Sequence, residues 1–165
     1  MRVEPAYIHK ESLQKAYQSV IWKEKYTYYF CAGHIEYKID IKDDNWSIEQ
    51  SVILSDSGEV IGYFAASVSR VKKQVYNLTI ASFSEKENIL VTVYLLIKDL
   101  LTRFDKVCFA VNIGNPAEKV YDLACKRLGG RIVGIYKNQN MAANGQMCDE
   151  KLYEIMSADY RAKKK

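Results

Sequence analysis

The stretch from Lys106 to Ile135 constrains this chain more than any other, because a strand, a helix, a glycine stop and a second strand follow one another with almost no slack. Val107, Cys108, Phe109, Ala110 and Val111 form an unbroken apolar run, the pattern of a strand covered on both faces. Asn115, Pro116, Ala117 and Glu118 then carry the signals of a helix start. Asn accepts from the first free amides, Pro suits the first helical position, and Glu three residues after the cap reaches back to the cap's own amide. Val120, Tyr121, Ala124, Cys125 and Leu128 share one helix face, and Gly129 with Gly130 ends the helix where a left-handed residue is wanted. Arg131 to Tyr136 resumes as a strand.

The rest of the chain interleaves helices and strands. Leu13, Ala16, Tyr17, Val20 and Ile21 recur at helical spacing, which predicts an amphipathic helix from Glu11 to Tyr26. Ser47 to Leu54 and Val60 to Ser69 read as strands, joined by Asp56, Ser57 and Gly58 into an antiparallel hairpin. Val75 to Phe83 is a third strand, and Ile89 to Phe104 an apolar helix. A polar loop is expected from Lys137 to Glu150, and a last strand from Leu152 to Met156. Strand, helix and strand between Val75 and Val111 make a right-handed crossover, so those two strands lie parallel in an otherwise antiparallel sheet. Ligands in such sheets gather at the carboxyl ends of the parallel strands, here Phe83 to Asn88 and Asn112 to Asn115. With 165 residues and 48% hydrophobic content, the chain suits one core-forming domain, 1–160, followed by a basic tail, 161–165.

Several functional classes are disfavoured on the same grounds. No apolar run approaches the roughly 20 residues of a membrane helix, and Met1 to Lys10 lacks the apolar core of a signal peptide, which makes a cytoplasmic address the default. Cys31, Cys108, Cys125 and Cys148 form no C-x-x-C pair and read as reduced thiols. The net charge of +4 owes much to Arg161, Lys163, Lys164 and Lys165, a solvated tail rather than the basic stripe with interleaved aromatics that nucleic acid requires. His9 and His34 sit in no metal-ligand pattern.

From Trp46 to Met156 the chain resembles the GNAT-type N-acetyltransferases. Gly58-Glu59-Val60-Ile61-Gly62-Tyr63 is similar to that family's central strands, and Asn112-Ile113-Gly114-Asn115-Pro116-Ala117, Tyr121 and Gly129 to Gly134 to the stretch after its fifth strand. Asp149 to Ile155 resembles the closing strand. The resemblance implies an α+β fold: a mixed, mostly antiparallel sheet of about six to seven strands with a splayed parallel pair, flanked by helices. It implies acetyl-CoA as co-substrate, its pantetheine arm along the backbone of Thr79 to Phe83, and direct transfer of acetyl to an amine. The family's pyrophosphate loop carries small residues that let backbone amides close on phosphate. The corresponding stretch here, Ser84-Glu85-Lys86-Glu87-Asn88, has no glycine, and Ser84 with Glu87 suggests a capping box instead.

On that plan Ile80, Ala81, Ser82, Phe83, Ser84, Lys86, Asn88, Asn112 and Asn115 are the expected cofactor contacts, Asn115 being a helix cap first. The family's tyrosine usually lies four residues before the glycine. Here Cys125 holds that place and Tyr121 lies one turn earlier on the same face. Tyr121 is the candidate acid for the leaving thiolate, with core packing as its other reading, and Cys125 is an alternative acid or an acyl carrier. His34 is either a loop residue or the general base, while Trp22, Tyr26, Tyr28, Tyr29 and Phe30 form a core cluster or an amine-binding wall. An amine-bearing acceptor and a second copy of the chain are the partners considered. A catalytically silent binding or regulatory module of the same fold is the competing reading, favoured by the missing glycines.

Overall fold

A computed structural model describes residues 1–21, 23, 38–86, 88–142 and 144–163. Seven strands form one sheet in the order β1-β2-β3-β4-β5-β7-β6. They are β1 (Arg2–Pro5), β2 (Ile48–Leu54), β3 (Val60–Ser69), β4 (Gln74–Ser82), β5 (Lys106–Asn112), β6 (Arg131–Met141) and β7 (Met147–Met156). The helices are α1 (Lys10–Val20), α2 (Leu90–Arg103), α3 (Glu118–Arg127) and α4 (Ser157–Ala162). All pairings are antiparallel except β4 with β5. The α+β expectation, with one parallel pair in a mostly antiparallel sheet, therefore holds.

The alternation along β2 and β3 shows how one sheet supports two cores. Ile53, Ile61 and Phe64 point to the face covered by α2, α3 and α4, where Ile97, Leu101, Leu128 and Tyr160 pack. Val52, Leu54, Tyr63 and Ala65 point to the opposite face, beneath Leu13 of α1. Between the strands, Gly58 adopts a left-handed conformation (φ +85°) in the hairpin turn. Gly62 allows a close approach, since a Cβ there would stand 3.0 Å from Cδ1 of Ile89 at the start of α2.

The parallel pair is brief. β4 and β5 pair only at Gln74 with Lys106 and at Val75 with Val107, after which the two strands separate. β4 also carries a bulge: Thr79 lies opposite Ala65 and Tyr76 opposite Ser67, with Asn77 left-handed (φ +51°) between them. The splay and the bulge together leave β4 bordered by three grooves.

Four local readings change. The polar stretch Lys137 to Glu150 is mostly a hairpin: β6 continues to Met141 and β7 begins at Met147. An outermost strand has no core to fill, so the polarity that reads as a loop is compatible with pairing. Asn138 (φ +50°) bulges there, held by its amide N–H to Oδ1 of Asp149 at 2.9 Å. Second, α3 begins at Glu118 rather than at Pro116, the residue after the expected Asn115 cap. Oδ1 of Asn115 accepts the Ala117 amide at 2.8 Å, and Glu118 accepts from the Gly114 amide at 3.0 Å, not from that of Asn115. Third, Ser84 does not cap α2. Its hydroxyl accepts the Lys86 amide at 3.2 Å, while Asn88 accepts the amide of Leu90, the first residue of α2, at 2.9 Å. Glu87, its expected partner, lies outside the described residues. Fourth, α1 closes at Val20, and its expected continuation to Tyr26 falls largely outside the described residues. β1 and α4, too short to show periodicity, complete the fold.

The stop of α3 follows the sequence signal. Gly129 is left-handed (φ +82°); its amide bonds the Lys126 carbonyl at 3.2 Å and the Gly130 amide bonds that of Cys125 at 2.8 Å. These are the two bonds of a Schellman motif.

Candidate active site

A groove of about 430 Å³ opens where the carboxyl end of β4 meets the first turns of α2 and α3. It is lined by Ile80 and Ser82 from β4, Glu85, Lys86 and Asn88 from the following loop, Ile89 and Leu90 at the start of α2, and Pro116, Ala117, Val120 and Tyr121 around the start of α3. The expected residues Ile80, Ser82, Lys86, Asn88 and Tyr121 thus meet in one place. Ala81 and Phe83, which alternate with them along the strand, turn to the α1 face. Ser84 belongs to the loop itself, its carbonyl accepting from the Ser82 hydroxyl at 3.2 Å.

Asn112 and Asn115 are buried and do not line this groove. The amide group of Asn140 donates to Oδ1 of Asn112 at 2.8 Å and to Oε1 of Glu150 at 3.0 Å, so the polar end of β5 has a partner on β6 that the sequence did not disclose. Asn115 is engaged as a cap. His34 and the cluster Trp22, Tyr26, Tyr28, Tyr29 and Phe30 lie outside the described residues.

Tyr121 stands with its ring 6.1 Å from that of Phe109 while also facing the groove, so core contact and groove contact coexist in one side chain. Cys125, one turn on, is 2% exposed, and burial, with Asp122 adding to it, pushes its thiol up to about 11. A thiol that far above neutrality is neither a ready nucleophile nor a matched acid.

Beside Tyr121 lies a charged cluster that sequence reasoning missed. Lys151 on β7 donates to Glu118 and, at 3.1 Å, to Asp122, both on α3; the Tyr153 hydroxyl donates to Asp122 at 2.7 Å. The hydrogen bond from Lys151, followed by that from the Gly114 amide, holds the Glu118 carboxyl below its ordinary range, and Glu118 in turn raises Lys151. The cluster ties the first turn of α3, which walls the groove, to the sheet. Its signal in the sequence was two carboxylates four residues apart on a helix, which repel unless a cation from elsewhere joins them.

Two further cavities flank β4. One of about 510 Å³ spans the splay and reaches β6 and β7, touching Tyr76 to Thr79, Cys108, Ala110, Tyr136, Glu150 and Glu154. The other, about 360 Å³, lies between the sheet and the chain near α1 and includes Tyr17, Asp40, Gln50, Tyr63, Asn77 and Thr79. There the Gln50 amide group donates to the Tyr63 hydroxyl at 2.8 Å, and burial pushes that phenol up to about 12. Asn77 and Thr79, at the bulge, border both.

No family model matches the sequence, and no curated protein matches it. Solved structures do. The spermidine N-acetyltransferase of Vibrio cholerae in complex with CoA and spermine superposes with a TM-score of 0.71 over 97% of each chain, at 13% identity. A point mutant of the enzyme SpeG from the same organism superposes with a TM-score of 0.72 over 100% of each chain, also at 13% identity. The fold is that of the GNAT-type N-acetyltransferases. At 13% identity the likeness lies in the path of the backbone; a chimera of SpeG from Vibrio cholerae and hSSAT matches at 16% identity over 72% of this chain and 74% of its own, with a TM-score of 0.60.

Proposed function

We propose that this protein is an acetyl-CoA-dependent N-acetyltransferase that passes the acetyl group directly to an amine. The observation that carries the reading is the interrupted β4–β5 ladder: beyond Val75 the β5-facing edge of β4 has no strand partner among the described residues, and its end opens into the groove before α2. An unpaired backbone edge of that kind suits an extended, amide-bearing arm such as pantetheine, which pairs as a strand would. The CoA complex of a protein with the same fold supports the assignment.

In this reading the backbone of Thr79 to Phe83 holds the pantetheine arm. Lys86 and the amides at the start of α2 receive the pyrophosphate without the usual glycines, the Asn88 side chain having taken the Leu90 amide and the helix dipole supplying the rest. Acetyl-CoA supplies an activated thioester. Tyr121 donates the proton that the departing thiolate needs, and Phe109 steadies its ring. The bulge at Asn77 interrupts the β3 register beside the splay, and a backbone amide freed from the ladder there would polarise a carbonyl.

A silent module of the same fold is the second reading. It is favoured by Glu85, a carboxylate in the groove wall where an anion would bind, and by the absence of glycine from Ser84 to Asn88. Thermal unfolding with acetyl-CoA, with CoA and with ATP separates the two. At a hundred times its dissociation constant a ligand adds about 2.7 kcal/mol of stability. A shift with acetyl-CoA and CoA but not ATP is expected; no shift at millimolar acetyl-CoA would favour the silent module.

A further inference from the structure

We infer that Glu150 forms the subsite for a cationic acceptor, receiving its ammonium group on the face of the sheet opposite α2 and α3; this deepens, and rests on, the acetyltransferase reading. Lys151, Tyr153 and Ile155 of β7 point toward α3 and its core, so Glu150, Leu152 and Glu154 project to the other face, into the cavity of about 510 Å³ that spans the splay. That cavity reaches the β4 bulge at Tyr76 to Thr79. It therefore approaches, from the other side of the sheet, the gap whose α3 side carries Tyr121.

The two carboxylates in the cavity differ in their partners. Glu154 is held by Lys106 and by Arg131 (2.8 Å), which offset its charge. Glu150 has no cationic partner among the described residues. Its Oε1 accepts a neutral hydrogen bond from Asn140 at 3.0 Å, and Asn140 is itself fixed by Asn112 at 2.8 Å. The Asn112–Asn140–Glu150 chain thus orients the carboxylate and leaves Oε2 without a partner among the described residues. Tyr136 stands directly across from it on β6, 54% exposed, an aromatic wall suited to an alkylammonium. The rival cavity near α1 has Asp40 as its carboxylate, and that group is already paired with Lys42 at 2.5 Å.

The probe is benzylammonium chloride, titrated into the isotope-labelled full-length chain and followed by amide chemical shifts. Saturable shifts centred on Tyr136, Glu150 and the Asn77 bulge are expected, with none from the neutral analogue benzyl alcohol. Glu150→Gln keeps the bond from Asn140 but loses the charge, and should weaken the interaction roughly fivefold. Glu150→Asp, which keeps the charge, and Asp40→Asn should both leave it within about twofold of the parent. Shifts centred on the Asp40 cavity, equal response to benzyl alcohol, or an unchanged titration in Glu150→Gln would overturn the assignment. The acetyl-CoA thermal shift reads the cofactor side independently. Loss of that shift with benzylammonium binding intact would refute the enzyme and not the cation subsite, and the reverse result would refute only the subsite.

Discussion

Replacing Lys151 by Met should destabilise this protein mainly by stranding negative charge, not by emptying space. Lys151 Nζ sits between Glu118 and Asp122, its side chain 11% exposed against 20% and 39% for the two carboxylates. Met fills a similar volume, so packing changes little. Two anions four residues apart on α3 would then share a half-buried site in which, among the described residues, the Tyr153 hydroxyl and the Gly114 amide are left to answer them. Removing one partner of a buried pair costs about 3–5 kcal/mol, and the partial exposure of Asp122 lowers this to roughly 2–3 kcal/mol. For a domain of this size that is a fall in Tm of about 4–12 °C. The sign with pH follows from the shifts. Glu118 is lowered on folding, so its contribution is present above its ordinary value of 4.5 and is lost as the pH falls through the folded value. Lys151 is raised, so its share is present below 10.5 and is lost as the pH rises through its folded value. The difference between parent and variant, read by urea unfolding, should be widest between these limits and narrow below about pH 4. Adding Glu118→Gln to Lys151→Met should restore part of the loss, because it removes a stranded charge. If the second change instead deepens the loss, or if the deficit does not depend on pH, electrostatics are not what holds α3 to β7.

Other substitutions probe neighbouring claims. A Cβ at Gly130 would meet Sγ of Cys125 and Cγ1 of Ile155 at 2.6 Å, whereas one at Gly134 meets nothing within 4 Å. Gly130→Ala should therefore cost about 1–3 kcal/mol in chemical denaturation, and Gly134→Ala close to nothing; equal effects would contradict the packing. Tyr121→Phe retains the contact with Phe109, so it should lower kcat by about a hundredfold with Tm and the CoA-induced shift preserved. A loss of Tm alone would assign the ring to the core. Lys86→Glu should weaken CoA in calorimetric titration far more than Lys72→Glu in the β3–β4 turn, since only Lys86 lines the groove; equal losses would remove the phosphate from this loop.

The elements that could be read from the chain are those whose determinants are local. Val60–Ser69 matches its expected span, and α2 falls within one residue of its expected limits at either end. Gly129 and Gly130 stop α3 by backbone geometry alone. Side-chain period, turn chemistry and left-handed glycine are properties of neighbouring residues, and they survive whatever the rest of the fold does. The polar run after Tyr136 misled because polarity reports exposure, and an edge strand is as exposed as a loop. Ser84 misled because any serine ahead of a helix resembles a cap until the helix start is known.

The sequence by itself determined the order of elements from α1 to β7, the crossover that makes β4 and β5 parallel, and the loop at whose level a groove would open. Tertiary structure alone decided which of the nominated residues share that groove, since strand alternation sends Ile80 and Ser82 to one face and Ala81 and Phe83 to the other once β4 is set between β3 and β5. It also joined Lys151 to Glu118 and Asp122, and Asn112 to Glu150 through Asn140, partners 28 to 33 residues apart or linked across strands. Such pairs leave no periodic trace, because their spacing along the chain depends on how β7 inserts between β5 and β6 rather than on the geometry of any one element.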